Sequence, residues 1–237
     1  MSEALTLDQI LDDAALLSLE HQLHLADLVG DRPWRVNLDE QRFEFVGEPP
    51  FVCSRVHLLG SAAPGPRSWL WSWANPYGYS KPVIELAEAV REFGHRHGIG
   101  ELAAPEVPFD ALPFASTEPN AVAGVLLEAA KAVSGVWTAY TGDAGGGTRV
   151  AFLIEHPDFR LPPPEAVRVM RVLQQGTAEL NLTDHRRAVH SYAVRRGLKS
   201  SFNAHQAEVS GPGFDVAIQF DDADRVLKMT ARMGSDR

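Results

Sequence analysis

The sequence predicts an α+β protein in which antiparallel β-meanders are faced by helices, arranged as two similar halves. Strand patterns occur in consecutive runs with helical patterns after them, whereas a doubly wound parallel sheet would alternate strand and helix strictly. The chain has 237 residues, 45% of them hydrophobic and 22% charged. That length and composition allow a buried core without disulfide or metal support. No sequence repeat accompanies the similarity of the halves.

The chain opens with an amphipathic helix. Apolar residues recur at helical spacing over Thr6–Val29, and Gly30 is a suitable stop. The segments WRVNL and RFEFVG then alternate apolar and polar residues around Asp39, Glu40 and Gln41. This alternation predicts a β-hairpin.

Two more predicted strands complete the first meander. FVCSRVHLLGS covers residues 51–61, and the turn SAAPGPR leads into the tryptophan segment RSWLWSWANPYGYS, residues 67–80. The apolar spacing over Val83–Phe93 predicts a helix that ends at Gly94 or Gly98. We expect this helix to cover one face of the sheet.

The middle of the chain suggests only a weak boundary. Residues 100–116 contain three prolines and no clear period, so we expect an irregular linker there within a single unit, 1–237. The second half is predicted to comprise a helix over Asn120–Val133, strands VWTAY and RVAFLIE, a helix entered through Pro162–Pro164, a helix over Asp184–Arg196, and a closing meander of FNAHQAEV, FDVAIQF and RVLKMTARM.

Charge and composition exclude several classes of partner. The 31 acidic and 22 basic residues give a net charge of -9, which disfavours binding to nucleic-acid phosphates. The single cysteine, Cys53, cannot close an internal disulfide, and the start MSEALTLDQILDD shows no signal-peptide pattern. No stretch approaches the roughly 20 apolar residues of a membrane span. We therefore expect a cytoplasmic protein with no nucleic-acid or membrane partner.

The tryptophan row is open to two interpretations. Trp69, Trp71 and Trp73 stand two residues apart, so in a strand their rings would share one face. At about 25 cal/mol per Å², burial of each ring contributes several kcal/mol, which favours a core packed against the following helix. The alternative is a partly open aromatic wall for a small ligand, with Asn75 as a polar group.

The basic segment DHRRAVHSYAVRRGLK, residues 184–199, stands out in an acidic protein. Thr183 or Asp184 can cap a helix there, and Arg196 falls on the helical face of Val189 and Tyr192. An inward guanidinium needs an anion, which is either a carboxylate of the protein itself or an anionic ligand.

Other patterns do not point to catalysis. GDAGGGTR, residues 142–149, lacks the lysine and the following helix of a phosphate loop and predicts a flexible hairpin loop. Cys53 lies in an apolar strand, where burial makes a thiol inert. The sequence thus predicts no catalytic residue, no metal site and no cofactor.

The order of several motifs resembles an uncharacterised bacterial family of unknown function. These motifs are the strand Leu59-Gly60-Ser61, followed by W-S-W-A-N at 71–75, HGIGEL at 97–102, DHRRA at 184–188 and FDDADR at 220–225. In the last motif the family tends to have glycine before the arginine. The resemblance implies a cytoplasmic bacterial protein and brings no activity with it.

Two function classes follow. The leading hypothesis is a non-catalytic cytoplasmic binding or protein-interaction protein, and one specific form is an acidic antagonist of immunity type that neutralises a basic effector. The alternative is an enzyme or small-molecule receptor with a pocket between the Trp69–Asn75 strand and the Asp184–Arg196 helix. Its candidate ligand-binding residues are Trp69, Trp71, Trp73, Asn75, His185 and Arg196, and its ligand would be a small anion.

Overall fold

The computed structural model describes residues 4–115 and 117–233 and has an α+β fold, as predicted. Its α-helices are α1 (Leu7–Val29), α2 (Lys81–His97), α3 (Gly100–Ala103), α4 (Pro119–Ser134), α5 (Ala166–Glu179) and α6 (His185–Arg195). The long helices were predicted because their apolar residues follow a clear 3.6-residue period. Gly98 ends α2 with φ +72°, as one of the two predicted terminators.

The strands form three antiparallel sheets. A three-stranded sheet has the order β1 (Trp34–Asn37), β2 (Arg42–Phe45) and β3 (Phe51–Val52). A five-stranded sheet has the order β6-β5-β4-β8-β7, with β4 (Arg55–Ala63), β5 (Ser68–Trp71), β6 (Glu106–Pro108), β7 (Ala139–Asp143) and β8 (Arg149–Glu155). A four-stranded sheet has the order β12-β11-β10-β9, with β9 (Lys199–Phe202), β10 (Gln206–Gly211), β11 (Phe214–Phe220) and β12 (Val226–Met233).

The chain divides into two compact units. The first comprises Met1–Leu7 and His21–Arg160, and the second comprises Asp8–Glu20 and Leu161–Arg237. Helix α1 therefore contributes residues to both units. Residues 100–115 lie within the first unit, and the single unit 1–237 with a weak boundary near 100–116 stays a prediction.

In the first unit, α2 and α4 pack on the central strands of the five-stranded sheet. On the face that carries Val56 and Leu58, the sheet meets the three-stranded sheet. Aromatic rings fill that contact, and Phe43 of β2 lies with its ring centroid 5.9 Å from that of Phe152 of β8. The glycine at position 142 of β7 leaves room for the Trp34 ring, since a Cβ there would lie within 2.3 Å of that ring.

Three strand and linker predictions need correction. FVCSRVHLLGS is not one strand, because the Cys53 N–H donates to Phe43 of one sheet and the Ser54 N–H donates to Glu155 of the other. The four predicted strands therefore belong to two sheets. Residues 100–115 are not an irregular linker, because they contain α3 and β6, elements too short to show a sequence period.

In the second unit, the four-stranded meander packs against α5 and α6. The first part of α1 completes its core, and Leu16 approaches Gly176 so closely that a Cβ there would lie 2.2 Å from a Leu16 methyl. The closing meander was predicted as three strands, but its first segment forms two, β9 and β10, with a turn at Asn203 whose Oδ1 accepts from the Gln206 N–H.

Candidate functional site

Two of the three tryptophans belong to the core. Trp69 and Trp71 are 0% exposed, share one face of β5, and contact each other edge to face with centroids 5.4 Å apart. The Trp71 Nε1–H donates to the Glu101 carbonyl at 3.1 Å, whereas Trp69 Nε1 has no partner within the described residues. Burial against the helical side of the sheet thus accounts for these two rings.

Trp73 does not share their strand face. Strand β5 ends at Trp71, and Ser72–Ala74 form a 3₁₀ helix in which the Ser72 hydroxyl donates to the Leu58 carbonyl at 2.6 Å. The Trp73 ring instead lies beneath Arg91 of α2, whose Cζ is 4.3 Å from the ring centroid. The prediction of three rings on one strand face is wrong for this residue.

Asn75 closes a turn. Its Oδ1 accepts a hydrogen bond from the Tyr77 N–H at 3.0 Å, the side-chain-to-backbone contact typical of asparagine turns. The Asn75 side chain is therefore engaged in local structure.

Arg196 finds its anion within the protein. Its side chain is 10% exposed, and its Nε lies 2.8 Å from the Glu20 carboxylate, whose side chain is fully buried. The Tyr192 hydroxyl donates to the same Glu20 oxygen at 2.9 Å, and Arg196 also donates to the Pro162 carbonyl. Burial and the adjacent Glu20 raise the pKa of the Tyr192 hydroxyl. The predicted inward guanidinium thus has an internal carboxylate as its partner.

His185 lies at the start of α6 among charged side chains. Burial lowers its pKa below 6.5 despite the opposing charges of Asp12 and Asp221, and its Nδ1 has no hydrogen-bond partner among the described residues. Asp184 caps α6 as predicted, since its carboxylate accepts the Arg187 N–H at 2.9 Å. The use of His185 by a ligand stays a prediction.

Asp12 fixes the segment before α6. It is 2% exposed and accepts hydrogen bonds from the backbone of Thr183 and Asp184, both at 2.9 Å. Burial raises the pKa of this carboxyl group above 3.8, although the hydrogen bonds act in the opposite direction.

The remaining sequence candidates have structural roles. Burial raises the pKa of the Cys53 thiol to about 12, so this cysteine is inert as the sequence predicts. The glycine-rich segment 142–149 connects β7 and β8 as a hairpin, with Gly145, Gly146 and Gly147 at positive φ. Within residues 4–115 and 117–233, no group of three His, Cys, Asp or Glu side chains is placed to hold a metal ion.

Asp224 has a backbone conformation that favours glycine. Its φ is +58° in the turn between β11 and β12, at the position where the sequence resemblance leads us to expect glycine. The Asp224 carboxylate binds the Arg186 guanidinium at 2.5 Å, and Arg186 also covers the Phe220 ring at 4.2 Å. An aspartate here thus gains an ion pair that glycine would lack.

A polar cavity of about 380 Å³ opens in the first unit and was not predicted. It lies between α1, α4 and β7, and its lining residues are Gln22, Leu127, Glu128, Lys131, Ala139, Tyr140 and Thr141. The Lys131 side chain is 4% exposed, and its Nζ lies 2.8 Å from Glu128 Oε1. These residues come from three elements distant in sequence, so no local motif marks the cavity.

A second unpredicted feature is an apolar groove of about 510 Å³ in the second unit. It runs between α5 and the edge strand β12 and is lined by Ala166, Val167, Met170, Arg171, Gln174, Gln175, Ala231 and Met233. Val167 is 81% exposed and Met233 is 74% exposed. The sequence marks this groove only indirectly: α5 and β12 each carry more apolar residues than one buried face requires.

Comparisons with known proteins give one match. The model of DUF6882, described as a family of unknown function, matches residues 8–157. No curated protein and no solved structure matches the chain. Among the described residues, no helix combines the length and apolar character required to cross a bilayer.

Proposed function

We propose that this chain, which belongs to the family of unknown function DUF6882, is a non-catalytic cytoplasmic interaction protein that binds an extended acidic segment of a partner protein beside β12. The observation that carries the proposal is the exposed groove between α5 and β12. This groove lies beyond the residues matched by the family model, so the proposal concerns this chain.

The backbone of β12 is available for strand addition. Within the part of the chain that the structure describes, β12 is the edge strand of its sheet and pairs with β11 alone. β12 has eight residues, whereas natural proteins often keep their edge strands very short. An open edge of that length presents a row of free N–H and C=O groups. Peptides bind such edges by adding a strand, with affinity from the main chain.

Side chains beside this edge supply a binding surface for alternate apolar residues. The register places Met229, Ala231 and Met233 on the same face as the buried Ile218, Val216 and Phe214 of β11. Among residues 4–115 and 117–233, no further strand pairs with the outer edge of β12, so this face is open there. An added strand would cover Val167 and Met233, which are otherwise exposed to water.

The charge beside the open edge of β12 indicates an acidic occupant. Arg171 lines the groove, whereas Lys228 and Arg232 alternate with Met229, Ala231 and Met233 and face the opposite side of the strand, where the charged side chains of an added strand would lie beside them. α5 and β12 together carry Arg168, Arg171, Lys228 and Arg232 against the single acid Glu179. Arg171, Lys228 and Arg232 are exposed and form no ion pair within the described part of the chain. Asp215 of β11 lies opposite Arg232 and reduces the local charge only in part. In a protein of net charge -9, this basic rim would select an acidic segment.

The acidic-antagonist hypothesis makes the opposite demand on the partner. An acidic antagonist would bind a basic effector through an acidic surface, because the net charge of -9 on the whole chain attracts positively charged proteins. The two forms of interaction protein therefore differ in the charge of the peptide or protein that binds. The groove supports the acidic-segment form.

Fluorescence anisotropy with two labelled peptides as long as β12 tests this proposal. One peptide alternates valine with glutamate and the other alternates valine with lysine. We expect the glutamate peptide to bind and the lysine peptide not to bind, with weaker binding at higher salt. Binding of the lysine peptide alone, or of neither peptide, overturns the proposal.

Matched substitutions locate the binding. Val167→Asp and Met233→Asp are each expected to lower the affinity for the glutamate peptide about tenfold or more, because they add like-charge repulsion and remove an apolar contact. Val194→Asp is the control, because Val194 is also an exposed valine on a helix of the second unit but belongs to α6 and does not line the groove. Equal effects of Val167→Asp and Val194→Asp contradict binding in the groove.

A further inference from the structure

We infer that the cavity between α1, α4 and β7 binds a small zwitterion, namely a free α-amino acid. This site lies in the first unit and is independent of the proposed groove, so either inference can fail without the other. Lys131 is a buried lysine that lines this polar cavity.

Lys131 is an unusual residue for the buried face of a helix. It belongs to the same buried face of α4 as Leu127 and is 3% exposed. Lysine is rarely buried unless its ammonium group is paired, because removal of the charge from water is costly. Here the ammonium is paired with Glu128, 2.8 Å away, and both residues line the cavity.

The two charges determine which ligand can enter. A free anion that approached Lys131 would meet the Glu128 carboxylate, and a free cation that approached Glu128 would meet the Lys131 ammonium. An α-amino acid carries a carboxylate and an ammonium group on one carbon, so its charges can lie beside Lys131 and Glu128 in the reverse order. The site and such a ligand are both neutral overall, and both charges are matched.

The other walls fit the rest of such a molecule. Ala139 and Thr141 are two residues apart on β7, so they face α4 together, whereas the Tyr140 ring between them packs near Phe43 on the other face. The Thr141 hydroxyl donates to Asn120 at 3.2 Å and remains able to accept. Gln22 adds an exposed amide at the rim.

The volume is also suitable. A cavity of about 380 Å³ is near the lower end of ligand pockets in proteins. Even pockets of this size hold small organic ligands, so an amino acid with a small side chain fits. Leu127 and Ala139 give that side chain an apolar contact.

Thermal-shift and calorimetric titrations of the full chain test the inference. The probes are glycine, L-alanine, L-serine and L-valine, with acetate and methylammonium as ligands that carry one of the two charges each. We expect at least one amino acid to raise the melting temperature with increasing concentration, and acetate and methylammonium not to do so at the same concentrations. Equal stabilisation by acetate, or no stabilisation by any of the four amino acids, overturns the inference.

Substitutions at the two charges locate the binding. Lys131→Met and Glu128→Gln are each expected to weaken amino-acid binding about tenfold or more, whereas Lys81→Met, an exposed lysine of α2, leaves it unchanged. Should Lys131→Met fail to fold, Glu128→Gln and the rim substitution Gln22→Ala decide, because Gln22 is exposed. Full binding by Glu128→Gln and Gln22→Ala overturns the inference.

Discussion

The ring of Trp69 lies directly over Gly60 of the neighbouring strand. A Cβ at Gly60 would come within 2.6 Å of Trp69 Cζ2 and within 2.4 Å of the Leu70 carbonyl oxygen. Gly60 pairs with Trp71 across β4 and β5, and the register of β4 shifts between Leu58 and Gly60. The Trp69 ring therefore occupies the space that a side chain at Gly60 would fill, so the close packing of β4 and β5 here requires glycine.

Gly60→Ala is expected to lower the free energy of unfolding by about 1–3 kcal/mol or more, because the added methyl group overpacks the core. Gly65→Ala is the control, since no atom lies within 4 Å of its Cβ position. Urea denaturation of both variants and the wild type measures the difference. Equal stability of Gly60→Ala and the wild type would show that the Trp69 ring can move aside freely.

Arg196→Met is expected to destabilise the protein by about 3–5 kcal/mol, because it leaves the buried Glu20 charge without compensation. Arg195→Met, at an exposed position of the same helix, should change stability far less. The double variant with Glu20→Gln should recover much of the loss, since the neutral amide still accepts from Tyr192. A double variant no more stable than Arg196→Met contradicts this account of the pair.

The stability contributed by Asp12 is expected to fall as pH rises. Because burial raises its folded pKa above the 3.8 of an ordinary aspartate, the folded state binds the proton more tightly than the unfolded state. This contribution is complete below the unfolded pKa and is lost as pH rises through the folded pKa. The stability difference between wild type and Asp12→Asn should therefore shrink or reverse towards neutral pH. Urea denaturation across that pH range measures it, with the exposed Asp8→Asn as control, and a pH-independent difference contradicts it.

Cys53 is expected to resist thiol reagents in the native protein. With a pKa of about 12, almost none of its thiol is ionised at a pH of about 8, and the thiolate is the reactive form. In denaturant one equivalent should react quickly. The measurement is reaction with a chromogenic disulfide reagent, and rapid labelling of the native chain would contradict the buried environment of Cys53.

The sequence predicted elements better than their assembly. Helices such as α1 and α4 have many turns of regular apolar spacing, and β8 and β11 have uninterrupted strand patterns, so each could be predicted from its own residues. Sheet membership could not, because Cys53 and Ser54 hydrogen-bond to different sheets through partners distant in sequence. Local propensity carries no information on such pairing.

The candidate sites show the same division. The inward Arg196 was predicted from helical periodicity, but its partner Glu20 lies 176 residues earlier in the chain and could not be chosen among 31 acids. Trp73 was misplaced because β5 ends at Trp71 and a 3₁₀ helix begins at Ser72, where alternation predicts more strand. Lys131 and Glu128 are ordinary helix neighbours in sequence, and only burial distinguishes them.

The shared helix α1 limits how the protein can be taken apart. Its segment Asp8–Glu20 belongs to the second unit, where its carboxylates bind Thr183, Arg187 and Arg196. A gene fusion that transferred only residues 161–237 would thus encode a fragment whose core lacks the apolar residues of α1 and whose arginines lack their carboxylate partners. The smallest piece that can be exchanged between relatives includes the opening helix, although about 140 residues of chain separate the two parts.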